Sequence, residues 1–303
     1  MNLVHVAAFA LAMVAAEQAL ELKAAVLKRV SDPPRRDIFA KDNLVAWCIV
    51  PFDAKQRGPG ERAEMLVRLG LKRVAYDWRA NHVPTFEQEI LEYKKNGLEY
   101  FAFWSQHERA FELFEKYKLH PQIWQTAPSP PGATQEEKVQ AAATQLLPLV
   151  ERTRRMGCKL GLYNHGGWGG EPQNLVAVCE WLQKHHRGEH VGIVYNFHHG
   201  HDHIADFAES LKRMQPHLLC LNLNGMNDGA KPKILPIGEG QHEKRMLQIV
   251  LDSGYDGPVG ILDHRNDLDA EESLRANLRG LEKLRRELGV VTKPIGKRQR
   301  LAR

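Results

Sequence analysis

A chain of 303 residues with 43% hydrophobic content is long enough for one large globular domain, and no apolar run reaches the roughly 20 residues that span a bilayer. The formal charge of +5 is carried entirely by the tail bases Lys293, Lys297, Arg298, Arg300 and Arg303, so the body is neutral and no nucleic-acid-binding face is expected. Cys48, Cys158, Cys179 and Cys220 have no paired spacing, which argues against disulfides and thiolate metal sites.

The first segment, Leu3 to Ala16, is apolar and alanine-rich and ends in Val14-Ala-Ala16. It fits an export segment, for a periplasmic or secreted protein, although no Lys or Arg precedes it. The other reading is an amphipathic leading helix running on to Leu27, in a cytoplasmic protein. Residues 1–42 are therefore set apart as an N-terminal extension, 43–290 as the folded domain and 291–303 as a basic tail.

From Asn43 a strand–helix alternation repeats, which predicts a parallel sheet with helices outside it. The expected strands are Leu44–Val50, Arg73–Asp77, Glu99–Trp104, Pro121–Thr126, Lys159–Tyr163, Val191–Asn196, Leu218–Leu223 and Pro258–Leu262. The helices between them are expected at Glu61–Leu69, Pro84–Asn96, His107–Lys118, Gln135–Met156, Pro172–His186, Asp202–Met214 and His242–Asp252. The last, Ala270–Leu288, carries Leu274, Leu278, Leu281, Leu284 and Leu288 at helical spacing. Eight strands is the number at which a parallel sheet closes, so the fold class is α/β, a single (β/α)8 TIM barrel. Neither a dinucleotide fingerprint nor a phosphate-cradling loop is present.

In such a barrel the C-terminal strand ends share one mouth, and polar residues collect there. Alternation puts Gly161, Tyr163 and His165 on one inward face, then Gly192, Val194 and Asn196, then Cys220, Asn222 and Asn224, then Gly260, Leu262 and His264. A slip of one residue would exchange His264 for Asp263. His198, His199, His201 and His203 crowd the end of the sixth strand. The imidazoles His165, His199 and His264 are the expected acid and base, since their ordinary pKa lies near 6.5.

Tyr163, Trp168, Asn196, Asn222, Asn224, Trp104, Gln125 and Arg79 are the expected substrate-binding residues, and Asp77 also sits at a strand end. Aromatic faces with uncharged amides suit a sugar, whose ring is apolar and whose hydroxyls need hydrogen bonds. No cofactor is expected. Were a divalent ion held, His199, His201 and Asp263 would be its ligands. A small carbohydrate is the expected partner, and the oligomeric state is not readable.

The runs Leu160–Gly167, Val191–His199, Ile237-Gly-Glu-Gly240 and Gly254–Val259 resemble those of the xylose isomerase-like TIM barrels. That group includes sugar phosphate isomerases/epimerases and AP endonuclease family 2 proteins, and the resemblance extends from about Asn43 to Leu288. It implies a divalent metal held by a Glu after the fifth strand, an Asp after the sixth, a His in the seventh and a Glu in the eighth. This sequence has Tyr163, Asn196, Asn222 and Leu262 at those four places, while His165 and His199 match histidines of the family pattern. The resemblance thus implies a carbohydrate isomerase or epimerase, or a lyase on a keto-sugar, that lacks the usual metal. A carbohydrate-binding barrel without catalysis is the alternative. A nuclease would need the missing ligands.

Overall fold

The computed structural model describes residues 37–290. The apolar N-terminal stretch and the basic tail lie outside them. The packed body begins at Ile38, ahead of the expected boundary, because Ile38 and Phe39 are buried in the core.

Eight parallel strands form a closed barrel in sequence order. They are β1 (Leu44–Trp47), β2 (Arg73–Tyr76), β3 (Glu99–Trp104), β4 (Gln122–Thr126), β5 (Leu160–Tyr163), β6 (Val191–Asn196), β7 (Leu218–Leu223) and β8 (Val259–Leu262). Closure is made by β1 on β8, with Leu44 opposite Val259 and Trp47 opposite Leu262. Eight helices alternate with them: α1 (Pro59–Leu69), α2 (Phe86–Lys95), α3 (Glu108–Tyr117), α4 (Gln135–Arg155), α5 (Pro172–His186), α6 (Phe207–Met214), α7 (Glu243–Ser253) and α8 (Ala270–Glu287). None among the described residues is long and apolar enough to cross a membrane.

Strands covered on both faces read as largely apolar runs, as in β1, β5 and β8. On β5, Leu160 and Leu162 pack outward on the helices while Tyr163 turns inward. The same division holds for Ile193 and Val194, Leu221 and Cys220, and Ile261 and Leu262. Large aromatics fill one side of the interior. Trp47 meets Trp124 edge-on at 4.9 Å between centroids and Trp104 at 5.7 Å.

Glycines let their inward neighbours pack close. A Cβ on Gly260 would overlap Oδ1 of the fully buried Asn222, and one on Gly161 would run into Val194 and Trp124. Gly260→Ala is therefore expected to lower stability by about 1–3 kcal/mol, the usual cost of overfilling a packed core. Unfolding in denaturant would measure it, and an unchanged midpoint would mean that Asn222 has room to move.

Two local departures from expectation shape the mouth. β1 ends at Trp47 rather than Val50, because Cys48 takes a left-handed φ of 59° and turns the chain out of the sheet. The sixth helix starts at Phe207 rather than Asp202. The histidine-rich stretch before it forms two tight 3-10 turns, Phe197–His199 and His201–His203, separated by Gly200. The first turn is capped by Asn196, whose Oδ1 accepts the His198 N–H at 3.1 Å. The second is tied back by the His201 ring, whose Nδ1 lies 3.2 Å from the His198 carbonyl.

Candidate active site

At the C-terminal mouth a cavity of about 150 Å³ opens over the aromatic half of the barrel. It is lined by Tyr163, Asn196, Trp104, Arg79, His165, His199 and His264, all singled out by sequence, and by Trp47, Cys48, Phe52, Asp77, His198 and Leu262. Each strand from β1 to β6, except β4, supplies a lining residue in or just beyond its C-terminal end, as does β8.

Tyr163 is the best-held group in it. Its oxygen accepts the Trp47 indole N–H at 3.0 Å and the Asn196 amide N–H. Both lone pairs are thereby engaged, so what the phenol has left to offer is its O–H. Burial raises its pKa far beyond the usual range, and the hydroxyl stays protonated at any working pH.

Four imidazoles stand beside it. His165 and His199 have ring centroids 4.4 Å apart, and the His199 ring lies 5.9 Å edge-on from Tyr163. His198 stacks nearly parallel on His264 at 4.9 Å, with their Nδ1 atoms 3.4 Å apart. That approach requires one ring to carry a hydrogen on Nδ1 and the other to leave it bare. Burial, reinforced by the His165 ring, lowers His199 to about 3. Burial and the same crowding push His198 further down, and burial lowers His264. At neutral pH these three rings are uncharged.

Asp77 closes the far wall. It is 2% exposed, its Oδ1 accepts the Val50 N–H at 3.3 Å, and its Oδ2 has no hydrogen-bond partner. Burial lifts its pKa to about 7 against the pull of Arg79. The Cys48 thiol is likewise held protonated, first by burial and then by the Asp77 charge.

Four expected binding residues are elsewhere. Trp168 points its indole N–H at the Gln135 side chain, 3.0 Å away at the start of α4. Gln125 follows Ile123 on the helix-facing side of β4, and its Nε2 lies 3.4 Å from the Thr126 carbonyl. Asn222 faces inward and pairs in register with Asn196, yet it does not line the cavity: its side chain lies over Gly260, with Oδ1 3.5 Å from the Cys220 thiol. Asn224 is spent on its own loop, donating to the Gly225 and Lys233 carbonyls and accepting the Leu235 N–H.

The fallback ligand set is not assembled either. Asp263 turns outward to take the Ser273 hydroxyl at 2.6 Å, while His201 faces the His198 carbonyl. Among the described residues no three His, Cys, Asp or Glu come together in a way that could hold a metal ion. Of the lining residues beyond those expected, Asp77 was marked by its strand-end position and His198 by its histidine run. Phe52 and Cys48 lie past the end of β1, where alternation no longer operates.

Residues 61–284 match the family model described as xylose isomerase-like TIM barrel. Among solved structures, the fold is similar to 3-keto-D-glucoside 4-epimerase, YcjR, from E. coli, with 15% identity, TM-score 0.58, and 81% of this chain and 100% of that one covered. It is also similar to the probable 3-DHS dehydratase AsbF from Bacillus anthracis, at 14% identity, TM-score 0.61, and 80% and 98% coverage. A third is the IOLI protein with a bound zinc atom, at 12% identity, TM-score 0.64, and 81% and 99% coverage. No curated protein matches the sequence.

Proposed function

This chain belongs to the xylose isomerase-like TIM barrel family, and we propose that its mouth is the active site of a carbohydrate isomerase- or epimerase-like enzyme. It moves a proton at the carbon next to a carbonyl, and on a keto-sugar the same step leads to elimination. The observation that carries the proposal is the environment of Tyr163. Two N–H donors occupy its oxygen inside a buried aromatic cavity, which leaves a neutral O–H for the substrate carbonyl.

Removing a proton next to a carbonyl puts negative charge on the carbonyl oxygen, and a fixed donor at that oxygen lowers the barrier. Tyr163 is that donor. His165 and His199, which flank it, take the proton on a bare ring nitrogen and return it to the other face or to the neighbouring carbon. When a leaving group sits on the next carbon, the electron pair expels it and elimination results. Trp47 and Trp104 supply the apolar floor for the ring.

The metal that the family implies does not fit these residues. The Tyr163 oxygen and both ends of the Asn196 amide are hydrogen-bonded within the protein. Leu262 has no donor atom, and Asn222 does not line the cavity, its Oδ1 lying against the Cys220 thiol at 3.5 Å. The proton transfer accordingly runs through the side chains alone.

Solvent deuterium exchange into a panel of aldoses, ketoses and keto-sugars tests the proposal. Label is expected beside the carbonyl of at least one sugar, and exhaustive chelation should leave the rate unchanged. His199→Ala should abolish exchange and keep sugar binding. Binding without exchange in the native protein would instead support a carbohydrate-binding barrel without catalysis, a role that aromatic walls and uncharged imidazoles would also serve.

A further inference from the structure

We infer that a second sugar subsite adjoins the first, so that the substrate is a glycoside whose attached residue occupies a polar cleft between the loops after β1 and β2. The inference rests on the carbohydrate reading above and narrows its substrate class. The cleft measures about 540 Å³, against about 150 Å³ for the cavity that takes the reacting ring. Arg79 lines both. Its guanidinium lies 5.3 Å from the centre of the half-buried Phe52 ring, which lines the first cavity. The chain also alternates between the two spaces. Phe52 and His264 line the first, while Pro51, Asp53 and Asn266 line the second.

The lining chemistry selects the occupant. Gln56, Asn81 and Asn266 present amide side chains that are exposed and make no side-chain hydrogen bond among the described residues. Unengaged amides offer a donor and an acceptor each, as vicinal hydroxyls require. An anion is poorly served. Arg57 is held by Asp53 at 2.8 Å and Asp269 at 2.6 Å, and Arg62 by Glu89 at 2.7 Å, so neither is available to a phosphate. The Asp53 carboxylate is taken in turn by Arg57 and by the Lys55, Arg57 and Ala270 N–H groups. What remains is a set of free amides beside Arg79, whose Nη1 already donates to the Trp78 carbonyl at 2.7 Å, and a lining dominated by hydrogen-bonding groups fits a sugar ring.

Calorimetric titration of the full chain tests this with glucose and keto-glucose against maltose, cellobiose and their keto forms. At least one disaccharide is expected to bind tenfold or more tightly than its monosaccharide. The double variant Asn81→Leu, Asn266→Leu, altered only at exposed positions, should erase that advantage and leave monosaccharide affinity unchanged. Equal affinity for both sizes in the native protein, or an advantage that survives the double variant, overturns the second subsite while the carbohydrate reading stands. Failure of every sugar to bind, and of every sugar in the exchange panel to take up label, removes that reading and the subsite with it.

Discussion

Replacing Tyr163 with phenylalanine is expected to slow exchange at the carbon beside the carbonyl by at least about a hundredfold, the usual cost of deleting one oxyanion donor. The substitution keeps the ring, so the contacts with Trp47, Trp104 and Trp124 survive. Among the described residues it removes the only acceptor of the Trp47 indole N–H and of the Asn196 Nδ2. Two buried donors left without partners would together cost about 2–6 kcal/mol of stability, at about 1–3 each. Reduced exchange could then reflect partial unfolding, so sugar affinity must be read beside it. Retained binding and native circular dichroism with lost exchange would place the hydroxyl in the chemistry. Undiminished exchange in Tyr163→Phe would mean that the enolate oxygen is held by another group, and the mechanism proposed for this barrel would have to be abandoned.

The barrel was legible because both faces of every strand are covered. That makes most strands largely apolar runs, and strands β3, β6 and β7 have the bounds read from sequence. Alternation also placed Tyr163, Val194, Cys220 and Leu262 on the inner face. It gives the face but not where the side chain turns from there. Asn222 has the right phase and pairs with Asn196, yet its side chain turns over Gly260 toward the Cys220 thiol and not into the cavity. Asn224 has the right phase too, but the cost of leaving the Lys233 and Leu235 backbone groups unpaired draws its amide into the loop. Beyond the strands periodicity says nothing, and the Cys48 turn that directs Phe52 over the mouth has no glycine to announce it. Of the histidine run, only His203 fell inside the helix expected from Asp202. The second 3-10 turn, His201–His203, holds that residue ahead of the helix, while the first, Phe197–His199, leaves His198 and His199 on the cavity wall.

The second large effect concerns Asp77, whose substitution by asparagine should raise stability in alkaline solution and leave it nearly unchanged in acid. In the folded protein burial holds this carboxyl at a pKa of about 7, whereas in the unfolded chain it titrates near 3.8. Between those values the folded state binds the extra proton, so the contribution of Asp77 to stability falls as pH rises through that window. Above about pH 7 the full cost of an ionised, half-partnered carboxylate is present. An amide never ionises, and its oxygen can still accept the Val50 N–H. The gap between variant and native protein should therefore open from pH 4 to 7 and reach a few kcal/mol by pH 8, since each tenfold difference in proton affinity between the two states is worth about 1.4 kcal/mol. The lowered histidines act in the opposite sense, since unfolded rings take protons below pH 6.5 that the folded cluster refuses. They are common to both proteins and largely cancel in the difference, as does Asp263, also near 7. Denaturant unfolding of both proteins at pH 5 and pH 9 measures the gap. Parallel stability profiles would show that Asp77 is ionised in the folded state throughout, and that the cavity wall is far more polar than its burial implies.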